Sequence, residues 1–267
     1  MPEPRGRPFL HLRGVLSEAD LAFLKRSCRR QLETQGIPCF ALLEQLESAT
    51  FLKLQAIVRD AVGEAVHYLN DFYLYTDASC DASWHTDTEL YTFARAVNAW
   101  VLLSPDHVGA PLGILDGIQQ GSDHFHSMEA AEGGWELANL CTGASRTLSR
   151  EDAAACALSA PDVSLGDVLL FDPRQFHGTN TDVPKHCHVT KFVLGSPADC
   201  LSAQQVPAFF WPEVELFNGL VQGAASWDDV VDGVRRALRD EQGKRTLSAG
   251  FYPDRFPLFA RQVQQLA

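Results

Sequence analysis

Gly166-Asp167-Val168-Leu169-Leu170-Phe171-Asp172-Pro173-Arg174-Gln175-Phe176-His177-Gly178-Thr179-Asn180 reads as turn, strand, turn, strand. Gly166-Asp167 makes the first turn, because glycine takes up backbone conformations closed to other residues and aspartate bonds its own turn. Val168 to Phe171 is the first strand, and Asp172-Pro173 ends it. His177 then sits in the short strand that follows, and Gly178 after it is a residue used where backbone must pass close to something. A histidine fixed this way can serve as a ligand if partners converge on it.

Partners are found upstream in Ser83-Trp84-His85-Thr86-Asp87-Thr88-Glu89-Leu90. In a strand, residues i and i+2 point the same way, which sets His85 and Asp87 on one side, about 6–7 Å apart along the backbone. That reach suits two ligands of one metal ion, although a His-x-Asp by itself is a weak signal.

The texture of the chain frames these two stretches. Residues 17–35 are expected to be helical, with Ser17 and Asp20 as a capping box and Leu21, Leu24, Cys28 and Leu32 on one buried face. Residues 43–69 continue in helical period, with a break near Ser48-Ala49-Thr50. From Phe72 to about Pro197 the composition turns to β-branched and aromatic residues with frequent turn formers. Strands are expected at about 71–76, 82–88, 95–104, 111–116, 135–140, 168–171, 175–179 and 188–195. Several short strands between turns suggest a sandwich or jelly roll. The stretch 119–134 is polar and strand-poor and is expected to form a loop or lid over a pocket. Helices are expected again at about 226–242 and 254–266. The domain reading is one domain over 1–267: N-terminal helices at 1–70, a β core at 71–197, and a helical extension at 198–267.

Composition narrows the function classes. The net charge is −12, and no cluster of lysine and arginine marks a nucleic-acid face, so no nucleic-acid partner is expected. No segment has eighteen consecutive apolar residues, so no membrane partner is expected either. The seven cysteines are odd in number and lack paired spacing. With no apolar signal core in the first residues, that points to a reducing, cytoplasmic setting. The oligomeric state is not legible.

Two histidines and one carboxylate are the facial triad of non-haem iron(II) enzymes. Their single negative charge leaves the ion Lewis-acidic, and the open positions accept a bidentate cosubstrate and O₂. The segments "WHTD" at Trp84–Asp87, "NAWVLLSP" at Asn98–Pro105 and "GDVLLFDPRQFHGTN" at Gly166–Asn180 resemble the Fe(II)/2-oxoglutarate-dependent dioxygenases. Within that family they look most like the phytanoyl-CoA dioxygenase-like branch, over roughly residues 72–195.

The resemblance implies a mainly β fold with flanking helices and a double-stranded β-helix (jelly roll, cupin-like) core. It implies a non-haem iron enzyme with Fe(II) held by His85, Asp87 and His177, 2-oxoglutarate as cosubstrate, and O₂ as oxidant. The activity implied is hydroxylation of a small organic molecule with release of succinate and CO₂. Members that halogenate carry a small residue in place of the carboxylate, so Asp87 argues against halogenation. The family holds the distal carboxylate of 2-oxoglutarate with a basic residue, usually arginine, soon after the second histidine. Lys191 stands there, fourteen residues after His177. Lysine is a point charge without the bidentate fork, and Arg174 and Arg95 are the alternatives. Asn98 is expected to donate to the cosubstrate. Gly117–His124 stands where the family often has Pro-Gly-Ser-His.

Other constellations are thinner. His124-Phe125-His126 and His186-Cys187-His188 are also i, i+2 pairs, without further ligands at a typical spacing. No Gly-x-Ser-x-Gly elbow or phosphate-binding glycine loop is present. The alternatives left open are a non-catalytic β-sandwich binding module and a cupin-like metalloenzyme that does not use 2-oxoglutarate.

Overall fold

The computed structural model describes residues 8–35, 47–76, 84–87, 95–103, 111–118, 125, 127–139, 144–179 and 185–195. The helices expected at 226–242 and 254–266, His124 and His126, and most of Gly117–His124 lie outside them.

Among the described residues, two helices come early. Helix α1, Glu18–Gln35, opens on the expected capping box: the Ser17 N–H donates to Asp20 Oδ2 at 2.8 Å, and the Asp20 N–H to Ser17 Oγ at 3.3 Å. Helix α2 is Ala49–Val62: it starts at the break expected near Ser48-Ala49-Thr50 and ends short of 69, while 43–46 lie outside the described residues. Ser48 caps its start, and Gly63 ends it at φ 76°, a left-handed conformation suited to glycine. The chain then enters a strand at Val66, five residues before the expected start. Val66 fits both periods, and the turn at Gly63 decides between them.

The strands are β1 (Phe9–Leu12), β2 (Val66–Thr76), β3 (Trp84–His85), β4 (Ala96–Leu102), β5 (Leu112–Asp116), β6 (Ser127–Ala131), β7 (Gly134–Ala138), β8 (Ser145–Ser149), β9 (Ala157–Ser159), β10 (Val168–Phe171), β11 (Phe176–Thr179) and β12 (Lys185–Leu194). A short helix α3, Arg150–Ala155, lies between β8 and β9. One sheet has the order β1-β10-β4-β12-β2 and the other β8-β7-β6-β3-β11-β5-β9, with every pairing antiparallel.

Eight strands carry the pattern of a jelly roll. The chain alternates between sheets through β2, β3, β4 and β5, and again through β9, β10, β11 and β12. This gives two four-stranded sets, β2-β12-β4-β10 and β3-β11-β5-β9. β1 extends the first at the β10 edge, and the ribbon β6-β7-β8 extends the second at the β3 edge. The expected double-stranded β-helix is therefore the observed core.

The expected loop over 119–134 needs correction in its second half. Ser127–Ala131 is β6, joined to β7 by a turn at Gly133 with φ 90°. Only Met128 of β6 is buried, so its own residues carry almost no strand pattern. Its strand state comes from pairing with β3 on one side and β7 on the other.

Each residue of β4 is buried, and alternate residues face two different cores. Val97, Ala99 and Val101 join Leu24 of α1 and Phe51, Leu54 and Val58 of α2. Trp100 and Leu102 face Leu112 and Ile114 of the second sheet. β10 splits likewise, with Val168 and Leu170 toward the helices and Leu169 and Phe171 toward the second sheet. Strands covered on both faces read as continuous apolar runs, the texture that marked "AWVLL" and "VLLF".

The Gly166-Asp167 turn holds the N-terminal segment. Gly166 has φ 90°, its carbonyl accepts from the Leu16 N–H at 2.9 Å, and a Cβ there would meet the Leu16 oxygen at 2.5 Å. Asp167 accepts from the N–H of Gly14 at 2.7 Å and of Ser164 at 3.0 Å, and its Oδ2 lies 2.8 Å from His11 Nε2. Burial alone would raise the Asp167 pKa, but these contacts overcome it and hold the carboxyl below its ordinary value.

Candidate metal centre

The register of β3 against β11 places His85 directly opposite His177, with ring centroids 4.4 Å apart. Asp87 follows two residues later, and its N–H donates to the Pro173 carbonyl at 3.0 Å. The two quoted stretches are thus joined both by side chains and by backbone. Between them, the Thr86 hydroxyl donates to the Phe125 carbonyl at 3.2 Å.

His177 Nδ1 lies 2.9 Å from the Gln175 carbonyl. A carbonyl only accepts, so Nδ1 carries the hydrogen and Nε2 keeps a lone pair. Nε2 lies 3.7 Å from Asp87 Oδ2. One ligand atom from each of His85, Asp87 and His177 lies within 4.8 Å of the others, the only such group of three among the described residues.

The opposite sheet supplies two polar side chains. Asn98 and Lys191 are register partners on β4 and β12, and both are buried. Asn98 Nδ2 donates to Asp87 Oδ2 at 2.5 Å, and Lys191 Nζ lies 3.3 Å from Asp87 Oδ1. Burial would raise the Asp87 pKa. Lys191, His177, His85 and the Asn98 amide outweigh it and hold the carboxyl well below the usual carboxylate range.

The structure therefore brings together five of the six expected site residues. Arg174 is placed elsewhere: its Nε and Nη2 lie on Asp172 at 2.9 and 2.6 Å, with its side chain 41% exposed. Arg95, the other alternative cation, pairs with Glu64 and is 45% exposed. Asn98 lies at the site, but its amide N–H points to Asp87, and its Oδ1 is buried without a hydrogen-bond partner among the described residues. His186-Cys187-His188 divides between faces. Cys187 enters the core between the sheets, while His188 packs against Phe51, with ring centroids 6.0 Å apart.

No family model matches the chain, and no curated protein matches it. Solved structures do. The chain is similar to the non-heme alpha ketoglutarate dependent epimerase SnoN from nogalamycin biosynthesis, at 15% identity over 71% of this chain and 78% of that one, with a TM-score of 0.46. It is similar to EctD from S. alaskensis with bound Fe, at 18% identity over 70% of this chain and 73% of that one, with a TM-score of 0.45. It is also similar to AviO1 from Streptomyces viridochromogenes Tue57, at 15% identity over 74% of this chain and 93% of that one, with a TM-score of 0.48.

The donor set of this chain can be tested against Fe(II) directly. Two imidazoles and a carboxylate suit a first-row divalent ion, and three protein ligands leave positions open, unlike a closed structural zinc site. The Gln175 carbonyl fixes the His177 tautomer in the way metal-bound histidines require. The residues present fit the ion. What the sequence could not show is the backbone's share. The carbonyls of Gln175 and Pro173 orient two of the three ligands, and a carbonyl leaves no trace in residue identity.

Proposed function

We propose that this chain is an Fe(II)/2-oxoglutarate-dependent oxygenase that hydroxylates a small organic molecule, releasing succinate and CO₂. The observation that carries the proposal is the convergence of His85 and His177 from one sheet, with Asp87 just past the end of β3, on the buried ammonium of Lys191 from the other sheet. His85 and His177 offer imidazole nitrogens, and Asp87 offers a carboxylate. Bound there, iron supplies the O₂-activating, electron-transferring chemistry that these side chains lack.

The rest of the work falls to the chain. Lys191 places a positive charge inside the sandwich, where an anionic cosubstrate gains a charge-assisted hydrogen bond away from bulk water. Asn98 holds the Asp87 carboxylate in one orientation. Trp100 and Phe171, on the same inner faces, exclude water from the layer between the sheets. The pairing of the Arg174 guanidinium with Asp172 and its exposure favour Lys191 as the cation for 2-oxoglutarate.

Anaerobic addition of Fe(II) and then 2-oxoglutarate tests the proposal. A weak visible charge-transfer band is expected only with both present, followed by succinate release in a screen of candidate substrates under O₂. Metal binding that 2-oxoglutarate leaves unchanged would indicate a cupin-like metalloenzyme. Absence of metal binding would indicate a binding module.

A further inference from the structure

The register around His177 puts three positions in one row. His85 faces His177 on β11, so Trp84 faces Gly178, and Gly178 in turn faces Gly113 on β5. All three lie on the face of the sheet turned away from the metal ligands, where Trp84 packs with Met128, Leu137 and Phe176. A Cβ built on Gly113 would meet Trp84 Cη2 at 2.8 Å and Cζ3 at 3.5 Å. The indole thus crosses β11 over a position with no side chain and rests on a second such position.

Gly113 has no left-handed φ to explain it, and glycine weakens a strand interior. Close approach of the indole is the physical reason left for glycine there. The site needs such support because, among the described residues, β3 is Trp84 and His85 alone.

We propose that Gly113, Gly178 and Trp84 form a seat that positions His85 against His177, with Gly113 a positioning residue for the metal centre. This rests on His85 being a ligand, as argued above. A methyl group at position 113 pushes the indole outward, and β3 must tilt or slide with it. The His85 ring then leaves its place beside His177, although neither ligand has been altered.

Co(II) titration of the full-length protein, followed by its visible absorption, tests this without turnover. Gly113→Ala is expected to weaken Co(II) binding by roughly ten-fold, the scale of loss when support for a ligand is removed. Adding Trp84→Phe, which removes the atoms nearest the new methyl, is expected to restore most of the affinity. Gly133→Ala is the control for destabilisation alone. Gly133 has φ 90° with open space around it, so alanine there strains a turn remote from the ligands. It should lower the melting temperature and leave Co(II) affinity unchanged. If Gly113→Ala does not fold, Trp84→Leu keeps the glycines, removes the indole and is expected to weaken Co(II) similarly. Wild-type affinity in Gly113→Ala, or in Trp84→Leu where that stands in, overturns the seat. Wild-type protein that binds no Co(II) overturns the metal centre itself, and the seat's role with it.

Discussion

Asp87 carries two duties at the residue scale. It is a proposed ligand, and it is also a carboxylate beside the buried ammonium of Lys191. Breaking a buried pair by removing one partner leaves a charge without compensation, which costs about 3–5 kcal/mol. Asp87→Ala is therefore expected to lower unfolding stability by about 3 kcal/mol in chelator-treated protein. Asp87→Ala combined with Lys191→Met should recover most of it, because no orphan charge remains. Additive losses in a denaturant double-mutant cycle would rule out the coupling. Lys191→Ala gives a second expectation. Losing one charge-assisted hydrogen bond of about 1.5–3 kcal/mol should weaken 2-oxoglutarate binding roughly ten- to a hundred-fold. An unchanged titration would move the cosubstrate's anchor away from Lys191, and the same titration on Arg174→Ala would show whether it lies there.

At the scale of elements, the Gly166-Asp167 turn couples β10 to the segment between β1 and α1. Asp167→Ala removes the acceptor for the N–H groups of Gly14 and Ser164, a loss expected to reach about 2–4 kcal/mol. The sign of its pH dependence follows from its lowered pKa. A carboxyl depressed in the folded state stabilises the fold above its ordinary value of 3.8 and loses that contribution as pH falls through the folded value. The stability gap between wild type and Asp167→Ala should accordingly narrow as pH falls below about 4. A gap that widens on acidification would contradict this origin.

The same scale shows what was legible in advance. Strands β4 and β10 stood out because two-sided burial writes itself as nearly unbroken apolar residues between turn formers. Strands β1, β6, β8 and β9 did not, because they lie at sheet edges or in the added ribbon. Their state comes from pairing, with few buried side chains of their own. The triad was legible as residue types and spacing. That Lys191 faces inward and Arg174 outward was not, since orientation depends on register across strands distant in sequence.

For the whole molecule, His85 and His177 belong to one sheet, with Asp87 just past the end of β3, while Lys191 and Asn98 belong to the other. An ion bound only by the folded state stabilises it by mass action, by about 2.7 kcal/mol at a hundred-fold excess over the dissociation constant. Co(II) at that excess is expected to raise the melting temperature by roughly 5–10 °C, reversibly by chelator. Identical melting with and without the ion would remove the metal from the native state.

The order of the five-stranded sheet also has a consequence during synthesis. β12 is made after every other strand named here, yet its place is between β4 and β2. Until Lys185–Leu194 has left the ribosome, those two strands face an open slot with unpaired edges, ready to accept a strand from another chain. β12 also brings Lys191, so the piece that closes the sheet delivers the site's cation. A prematurely ended chain is thus both aggregation-prone and unable to hold an anionic cosubstrate, and both functions arrive with one ten-residue segment.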